Sequence, residues 1–445
     1  MMKFITYFLL IIVPITLVCY LDAHASGFEQ SDILSQSVQM HQVNGKLNLN
    51  DLIAAAQESH PLVYEKMAAT ETADAYVDGA YQNFFPKPYV ELNESRLHGQ
   101  DNVSSESRMT VLGVEQPLWT GGKLTAALAS AKSTLESSKH SVSEARLQIS
   151  LRVIENYRDF MMYEGRVLAQ QEGLRILTGL AEKIDRRVAS GVSAQVDRDL
   201  VQTRISQILS DLYSSKIKVQ TAIFNLNQLV GHNLTSADLE FPEKVLVVEP
   251  RALDDLVGRT LAESPALKRL SAELETLSHN ADQIKSALFP TFSLKAEYMT
   301  DDLGASDSNE VTQVSGVLSF SPGSGLSTFT SLQAAQSRIK MHKNSVDAVK
   351  KDLQTQVQLF YDDCMSSYLR YDLVTSSIEN NKSIFESYGR LFVTGKRSWL
   401  DVINAARDYT QSKIDMSYLL SSYYGSLYKI KMFTAEIDFE NKGLN

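Results

Sequence analysis

The chain has few residues that break helices or cross-link the backbone. Its 445 residues include 10 prolines, 21 glycines and 2 cysteines. Cys19 lies in an apolar run near the N-terminus, so Cys364 is the one cysteine expected in a mature chain, which excludes an intrachain disulfide. Proline and glycine cluster at a few points, and the polar, alanine-rich stretches between them are typical of long helices.

Negative side chains outnumber positive ones, and long apolar runs are scarce. The formal net charge of −10 argues against a nucleic-acid partner. Beyond the N-terminus there is no run of about 18 apolar residues, so no transmembrane helix is predicted. The sequence has no His-x-x-x-His or Cys/His cluster, no glycine-rich phosphate loop and no Gly-x-Ser-x-Gly turn. We therefore expect neither an enzyme nor a bound metal or cofactor.

Residues 1–25 predict a secretory signal peptide. Lys3 precedes an apolar run from Phe4 to Cys19, and Ala23-His24-Ala25 forms a small-x-small cleavage signal. The alternative is a retained N-terminal anchor. Residues 26–46 then form an N-terminal lead, and residues 436–445 a C-terminal tail.

The chain repeats its proline, glycine and aspartate positions at an offset of 204 residues, as in Pro61 and Pro265. Such a repeat predicts two copies of one structural unit, at 47–245 and 246–435. The other matching pairs are Pro86 and Pro290, Gly121 and Gly325, Gly191 and Gly395, and Asp197 and Asp401.

The sequence pattern of each copy predicts a long helix with a coiled-coil seam. Apolar or small residues follow a 4-3-4-3 spacing from Leu124 to Ile149, and the spacing recurs from Thr328 to Leu353. The predicted long helices span 121–189 and 325–393, and the helices that return from them span 194–230 and 398–435.

Short turns join each long helix to its returning helix. Gly191 and Gly395 suit left-handed C-caps, and Ser193 and Ser398 suit N-caps of the returning helices. We therefore predict two helical hairpins with equivalent tips.

A further helix precedes each long one. The first starts near Asn50, carries Pro61 in its second or third turn and runs to Pro86. Its counterpart starts near Asp254 and ends at Pro290.

Strand hairpins are predicted at 89–118 and 291–320, between these helices and the long ones. In the second hairpin, apolar residues from Phe292 to Tyr298 alternate with polar ones, which predicts one apolar and one polar face. The first hairpin alternates less clearly, with strands at 89–97 and 109–118 and a polar loop at 99–107.

The length of the predicted strands indicates that they span a membrane. Amphipathic strands of about ten residues cross an outer membrane when tilted. Four strands cannot close a barrel, since the smallest membrane barrels have about eight. The predicted fold class is therefore mainly α with a small β-barrel contribution: a long α-helical coiled-coil barrel, four transmembrane strands per chain, two tandem repeats and a homotrimeric barrel of twelve strands.

Ordered and duplicated motifs make the chain resemble the TolC family of outer-membrane channel proteins. The resemblance runs from about Leu47 to Ala435. It implies a homotrimer in the cell outer membrane, with a helical barrel in the periplasm and a mixed belt near 231–250 and at the C-terminal end. The motifs are Leu52…His60-Pro61, Phe84-Phe85-Pro86, Gln116-Pro117-Leu118-Trp119-Thr120-Gly121-Gly122 and the two tips.

The resemblance also implies a periplasmic gate at Asp197, Phe392, Arg397, Asp401 and Asn404. Arg397 is suited to hold a carboxylate such as Asp197, and Asp401 repeated by symmetry would form a negative ring. Phe392 lacks the hydroxyl of the tyrosine that the family's best-known member has there, and Asn404 replaces a second acid. A plainer interpretation is that an acid in a first helical turn complements the helix dipole.

The partners implied are a periplasmic adaptor, or membrane-fusion protein, and an inner-membrane ABC or proton-driven transporter. The tip from Lys396 to Val402 resembles outer-membrane partners of type I secretion systems, which favours protein export. The alternatives are small-molecule efflux and, from another class, a non-conducting periplasmic scaffold or adaptor. The adaptor-docking residues implied are Ser190, Gly191, Val192, Thr394, Gly395 and Lys396.

Overall fold

The computed structural model describes residues 46–98, 104–242, 252–301, 309–321, 325 and 327–436. Outside these residues lie the predicted signal peptide, most of the lead, most of the C-terminal tail, and parts of the two polar loops and of the expected belt. The described elements, in chain order, are α1 (Leu49–Ser59), α2 (Pro61–Gln82), β1 (Lys87–His98), β2 (Ser104–Trp119), α3 (Lys123–Ala189), α4 (Gln195–Val230), α5 (Leu253–Glu263), α6 (Pro265–Ser286), β3 (Thr291–Thr300), β4 (Glu310–Ser319), α7 (Ser327–Val393) and α8 (Trp399–Phe433).

The structure repeats at the offset seen in the sequence. The bounds of α1, α2 and α3 recur 204 residues later as those of α5, α6 and α7. The helices α3 and α7 have 67 residues each, which makes them about 100 Å long at 1.5 Å per residue. The predicted fold class, mainly helical with a small antiparallel sheet, is confirmed.

Both prolines start helices, contrary to our prediction of a helix that runs through Pro61. The chain breaks at His60, whose Nδ1 accepts the Leu62 amide at 3.1 Å, and Pro61 is the first residue of α2. The second copy breaks at Ser264 in front of Pro265 in the same way. Proline has no amide hydrogen to donate, so it fits a first helical turn and disrupts an interior one.

The helices form two four-membered layers that share the two long helices. Towards the hairpin tips the packing order is α4, α3, α8, α7, and towards the sheet it is α2, α3, α6, α7. In the part of the chain that is described, α4 and α7 are therefore the outer helices of the layer near the tips.

Small polar residues fill the contact between α3 and α6. Ser130 donates to Asn280 at 2.8 Å, and Ser133 and Ser137 are also buried on this face. In this half of α3, α6 therefore packs against the serines and not against the seam predicted from Leu124. The leucines of that seam are only half-buried, because the small side chains on the adjacent face allow α6 to approach closely there. Further along the long helices the seam is buried in both copies, at Ile149 of α3 and at Leu353 of α7, which packs against α6.

The four strands form one antiparallel sheet in the order β1-β2-β3-β4. The second strand begins at Ser104 rather than at Met109, so part of the predicted loop 99–107 is strand. Ser104 to Ser107 pair with β1, but their polar side chains give no apolar alternation to detect. No described helix is long and apolar enough to span a membrane.

Candidate functional site: the hairpin tips and the free edges

The two hairpin tips are the same backbone turn. Gly191 and Gly395 both have φ of 74°, the left-handed conformation that glycine adopts without strain. The amide after each glycine donates to the carbonyl five residues before it, from Val192 to Arg187 at 2.8 Å and from Lys396 to Leu391 at 3.0 Å. This bond pattern is that of a Schellman C-cap, so both predicted glycine caps are confirmed.

An aromatic and cationic cluster joins the two hairpins just above the tips. The Arg187 guanidinium at the end of α3 lies 4.7 Å from the Phe392 ring centroid on α7. Phe392 in turn lies 4.6 Å from the Trp399 ring at the start of α8. Trp399 is buried in an apolar cluster with Val402 and Leu180, which confirms it as a packing residue beneath the turn.

The candidate gate residue Arg397 interacts with its own hairpin. Its guanidinium lies 4.5 Å from the Tyr388 ring centroid and 3.9 Å from the Asp401 carboxylate. No ion pair joins Arg397 to Asp197 within the described chain, so the suggested pairing is not made inside one protomer. The physical reason is proximity, since Arg397 lies in the tip turn just before α8 and Asp401, four residues later, is in the first turn of that helix.

Asp401 and Ser398 cap α8 with a reciprocal box. The Ser398 hydroxyl accepts the Asp401 amide and the Asp401 carboxylate accepts the Ser398 amide, both at 3.2 Å. The N-cap predicted at Ser398 is therefore confirmed. The Asp401 side chain remains 39% exposed, so it also presents charge to solvent.

The first hairpin lacks such a cap, and Ser193 is not the N-cap of α4. That position is Ala194, which has no side chain that can cap the helix. Ser193 instead accepts a hydrogen bond from Arg187 Nε at 3.3 Å, because the turn directs it back towards α3. Asp197 lies in the first turn of α4, and Asn404 is half-buried on α8.

The outermost residues of both tips are open to solvent. All six residues predicted to dock an adaptor are exposed. They are Ser190, Gly191, Val192, Thr394, Gly395 and Lys396.

Glycines bring the hairpins into close contact further up the layer. A Cβ at Gly173 of α3 would lie 2.7 Å from Ile208 of α4 and 2.7 Å from Thr410 of α8. A side chain there would push α4 and α8 away from α3. The layer therefore depends on a glycine at this point.

The outer helices α4 and α7 carry exposed apolar stripes. Tyr213 and Ile217 on α4 and Leu369 and Leu373 on α7 are each 62–70% exposed. Tyr213 lies 22 residues after the tip glycine Gly191, and Leu373 lies 22 residues before the tip glycine Gly395 (213 − 191 and 395 − 373). Ile217 and Leu369 each lie 26 residues away. The two stripes therefore stand at matching heights on opposite edges.

The sheet is also open at two edges, and its faces differ. Val90, Leu112 and Leu294 share an exposed apolar face, whereas Glu115 and Lys295 lie on the other face, 3.5 Å apart. Among the residues that the structure describes, β1 and β4 each pair with one neighbouring strand. An unpaired strand edge is a ready site for pairing with another chain.

Sequence reasoning missed Arg187 and Tyr388. Nothing in the local pattern singles them out, because Arg187 contacts a ring on another hairpin, 205 positions later in the chain (392 − 187). The one local signal was the pair Arg186-Arg187 in the last turn of α3. It does not indicate a contact with another hairpin, because basic residues in a last turn interact favourably with the helix dipole in any protein.

Comparisons with known proteins agree with this architecture. The profile of the "Outer membrane efflux protein" family matches residues 52–232 and 256–429. The outer-membrane channel OprN is similar over 87% of this chain and 89% of that chain, with a TM-score of 0.78 and 14% identity. The VceC outer membrane protein of Vibrio cholerae is similar over 87% and 95%, with a TM-score of 0.75 and 16% identity.

The CmeC outer membrane channel of Campylobacter jejuni is similar over 87% of this chain and 85% of that chain, with a TM-score of 0.75 and 14% identity. At these identities the likeness concerns the fold. No curated protein sequence matches the chain.

Proposed function

The chain belongs to the outer membrane efflux protein family, and from that premise we propose that three copies form one continuous export channel. The chain is an outer-membrane transport protein and not an enzyme. In the proposed trimer, three four-stranded sheets close a twelve-stranded barrel, and three helical layers close a tube of twelve helices beneath it.

The free edges of the chain support this assembly. Edge pairing of β4 with β1 of a neighbour removes the unpaired strand edges, and packing of α7 against α4 of a neighbour buries both apolar stripes. Both contacts are head to tail, the kind that generates a closed ring. The matching heights of Ile217 and Leu369 are the observation that carries the proposal most directly.

The tips form the gate in this proposal. The second hairpin moves, and the contact of Arg187 with Phe392 holds it against the first hairpin in the closed state. Three copies of Asp401 place negative charge around the opening, which attracts cations. Asp197 and Asn404 lie at the same end of the helical layer. In the proposed trimer, Asp197 pairs with Arg397 of a neighbouring chain.

The partners proposed are a periplasmic adaptor and an inner-membrane ABC or proton-driven transporter. The six exposed tip residues, with two glycines that permit close backbone approach, are suited to receive the adaptor. For the cargo we favour protein, as in type I secretion, because of the tip sequence from Lys396 to Val402. Small-molecule efflux is the second candidate, favoured by the family to which the chain belongs.

Planar-bilayer recording of the purified full-length protein tests the channel and the gate together. We expect the wild type to conduct ions and Asp401→Asn to lower cation selectivity. Asparagine keeps an oxygen that can cap Ser398, so the change removes charge with little effect on the helix start. Asp78→Asn, which removes an exposed charge from α2, is the matched control. A wild type that does not conduct would contradict the proposed function, and unchanged selectivity in Asp401→Asn would remove Asp401 from the lumen.

A further inference from the structure

The two faces of the sheet differ in charge. Glu115 of β2 pairs with Lys295 of β3, and directly paired residues lie on the same face of a sheet. Val90, Leu112 and Leu294 lie on the opposite face, where they are exposed. We call the face that carries Glu115 and Lys295 the charged face.

Tyr89 crosses this charged face from the first strand to the third. It pairs directly with Gly113 of β2, and Gly113 pairs with Glu297 of β3. The ring lies over Gly113, where any Cβ would overlap it, and the hydroxyl donates to the Glu297 carboxylate. The glycine thus leaves room for the tyrosine to reach an acid two strands away.

Two further charges surround the tyrosine. Lys295 Nζ lies 5.7 Å from the Tyr89 ring centroid and 3.5 Å from the Glu115 carboxylate. We name Tyr89, Gly113, Glu115, Lys295 and Glu297 the charged shelf. Its two carboxylates and one ammonium leave one net negative charge per chain.

A purely structural role explains only part of the charged shelf. An aromatic ring over a cross-strand glycine stabilises a sheet whatever the function. That role requires neither the carboxylate at the hydroxyl nor the charged pair beside the ring. Charges are costly on a lipid-facing surface of a membrane barrel and are tolerated on the lumen side. The opposite face, with Val90, Leu112 and Leu294, is the one suited to lipid.

We propose that the charged shelf lines the channel within the barrel and is a second charge filter, separate from the tips, which favours cationic over anionic solutes. This inference rests on the proposed trimer, in which three shelves form a ring with three net negative charges. The three tyrosine rings project across the strands and bring these charges into the conducting path.

Opposite charge removals separate this filter from a structural role. In planar bilayers with a KCl gradient, we expect Glu297→Gln to lower the cation-to-anion permeability ratio and Lys295→Gln to raise it. For three charges about 10 Å from the channel axis in 0.1 M salt, the screened interaction favours a cation and disfavours an anion by about twofold each, so the permeability ratio changes by about fourfold. The double variant Lys295→Glu with Glu297→Lys keeps the net charge and should stay close to the wild type.

Each outcome bears on one proposal. Shifts of opposite sign in the two single variants support the filter. Shifts of the same sign, or none in either variant while the wild type conducts, overturn it and leave the channel proposal intact. A wild type without conductance overturns the channel itself. If Glu297→Gln fails to form trimers, Lys295→Gln alone decides, because its increase is not expected from a damaged barrel.

Discussion

The contact between Arg187 and Phe392 gives the sharpest prediction about the gate. Replacing Arg187 with alanine removes the guanidinium that lies 4.7 Å from the Phe392 ring centroid. Because this contact joins the first hairpin to the second, it is lost when the second hairpin moves away. We therefore expect Arg187→Ala to favour the open state.

The size of the effect follows from three identical contacts in the proposed trimer. A cation–π contact at a partly exposed site is worth about 0.5–1 kcal/mol. Three of them contribute about 1.5–3 kcal/mol to the closed state, and at 1.4 kcal/mol per factor of ten their loss raises the ratio of open to closed channels about 10- to 150-fold. Single-channel recording measures this ratio as the open probability.

Two matched variants separate the contact from charge. Arg186→Ala removes a positive charge from the same helical turn, and we expect it to change the open probability much less. Arg187→Lys keeps the charge but loses the planar group that stacks on a ring, so it should behave more like the alanine variant.

A double-mutant cycle with Phe392→Leu tests whether the two residues act together. We expect Arg187→Ala to have little further effect once the ring is absent. Equal effects of Arg186→Ala and Arg187→Ala, or full additivity in the cycle, would refute the reasoning.

Two further predictions concern stability. Burial, together with the nearby Arg152 charge, lowers the pKa of His60 below its ordinary 6.5. The neutral ring caps α2, so its contribution to stability is present above the ordinary pKa and is lost as the pH falls through the lowered one. The thermal unfolding temperature should therefore depend less on pH between 7 and 5 in His60→Asn than in the wild type. An unchanged dependence would contradict this. Gly173→Ala should destabilise the chain by about 1–3 kcal/mol, whereas Gly179→Ala, with no atom within 4 Å of the new Cβ, should stabilise it by about 0.5–1 kcal/mol through helix propensity. Denaturant unfolding compares the two glycine variants, and equal effects would argue against close packing at Gly173.

Local signals in the sequence were sufficient for some of the ends of the elements. Gly191 and Gly395 indicated left-handed caps, and Ser398 indicated an N-cap, because each rule depends on a few adjacent residues. Pro61 was misplaced although the rule for its position is equally local: His60 in front of it already offered a side chain that can cap a helix beginning at the proline.

Contacts between distant elements could not be predicted in this way. Arg397 was matched to Asp197 on chemistry alone, and in the chain it lies against Asp401 and Tyr388, which are closer along the helices. The path of Tyr89 over Gly113 to Glu297 depends on the strand register. Periodicity assigned Glu297 to the polar face of its strand, but it did not set that register.

Cys364, the free thiol among the described residues, is not expected to interfere with cross-linking. Cys364 is buried in α7, and burial raises the pKa of its thiol to about 11. It is therefore protonated and inert at neutral pH. Cys364→Ser removes even this residual reactivity.

The central claim, that the chain closes a ring through its outer helices, is tested most directly by disulfide cross-linking of the two apolar stripes. In the Cys364→Ser background, we expect Ile217→Cys with Leu369→Cys to form covalent dimers and trimers on mild oxidation. Either cysteine alone should give no ladder, and neither should Lys216→Cys with Leu369→Cys, since adjacent helix positions point about 100° apart. A ladder that stops at three chains is the predicted result; a chain that stays monomeric, or a ladder that continues beyond three, would contradict the account.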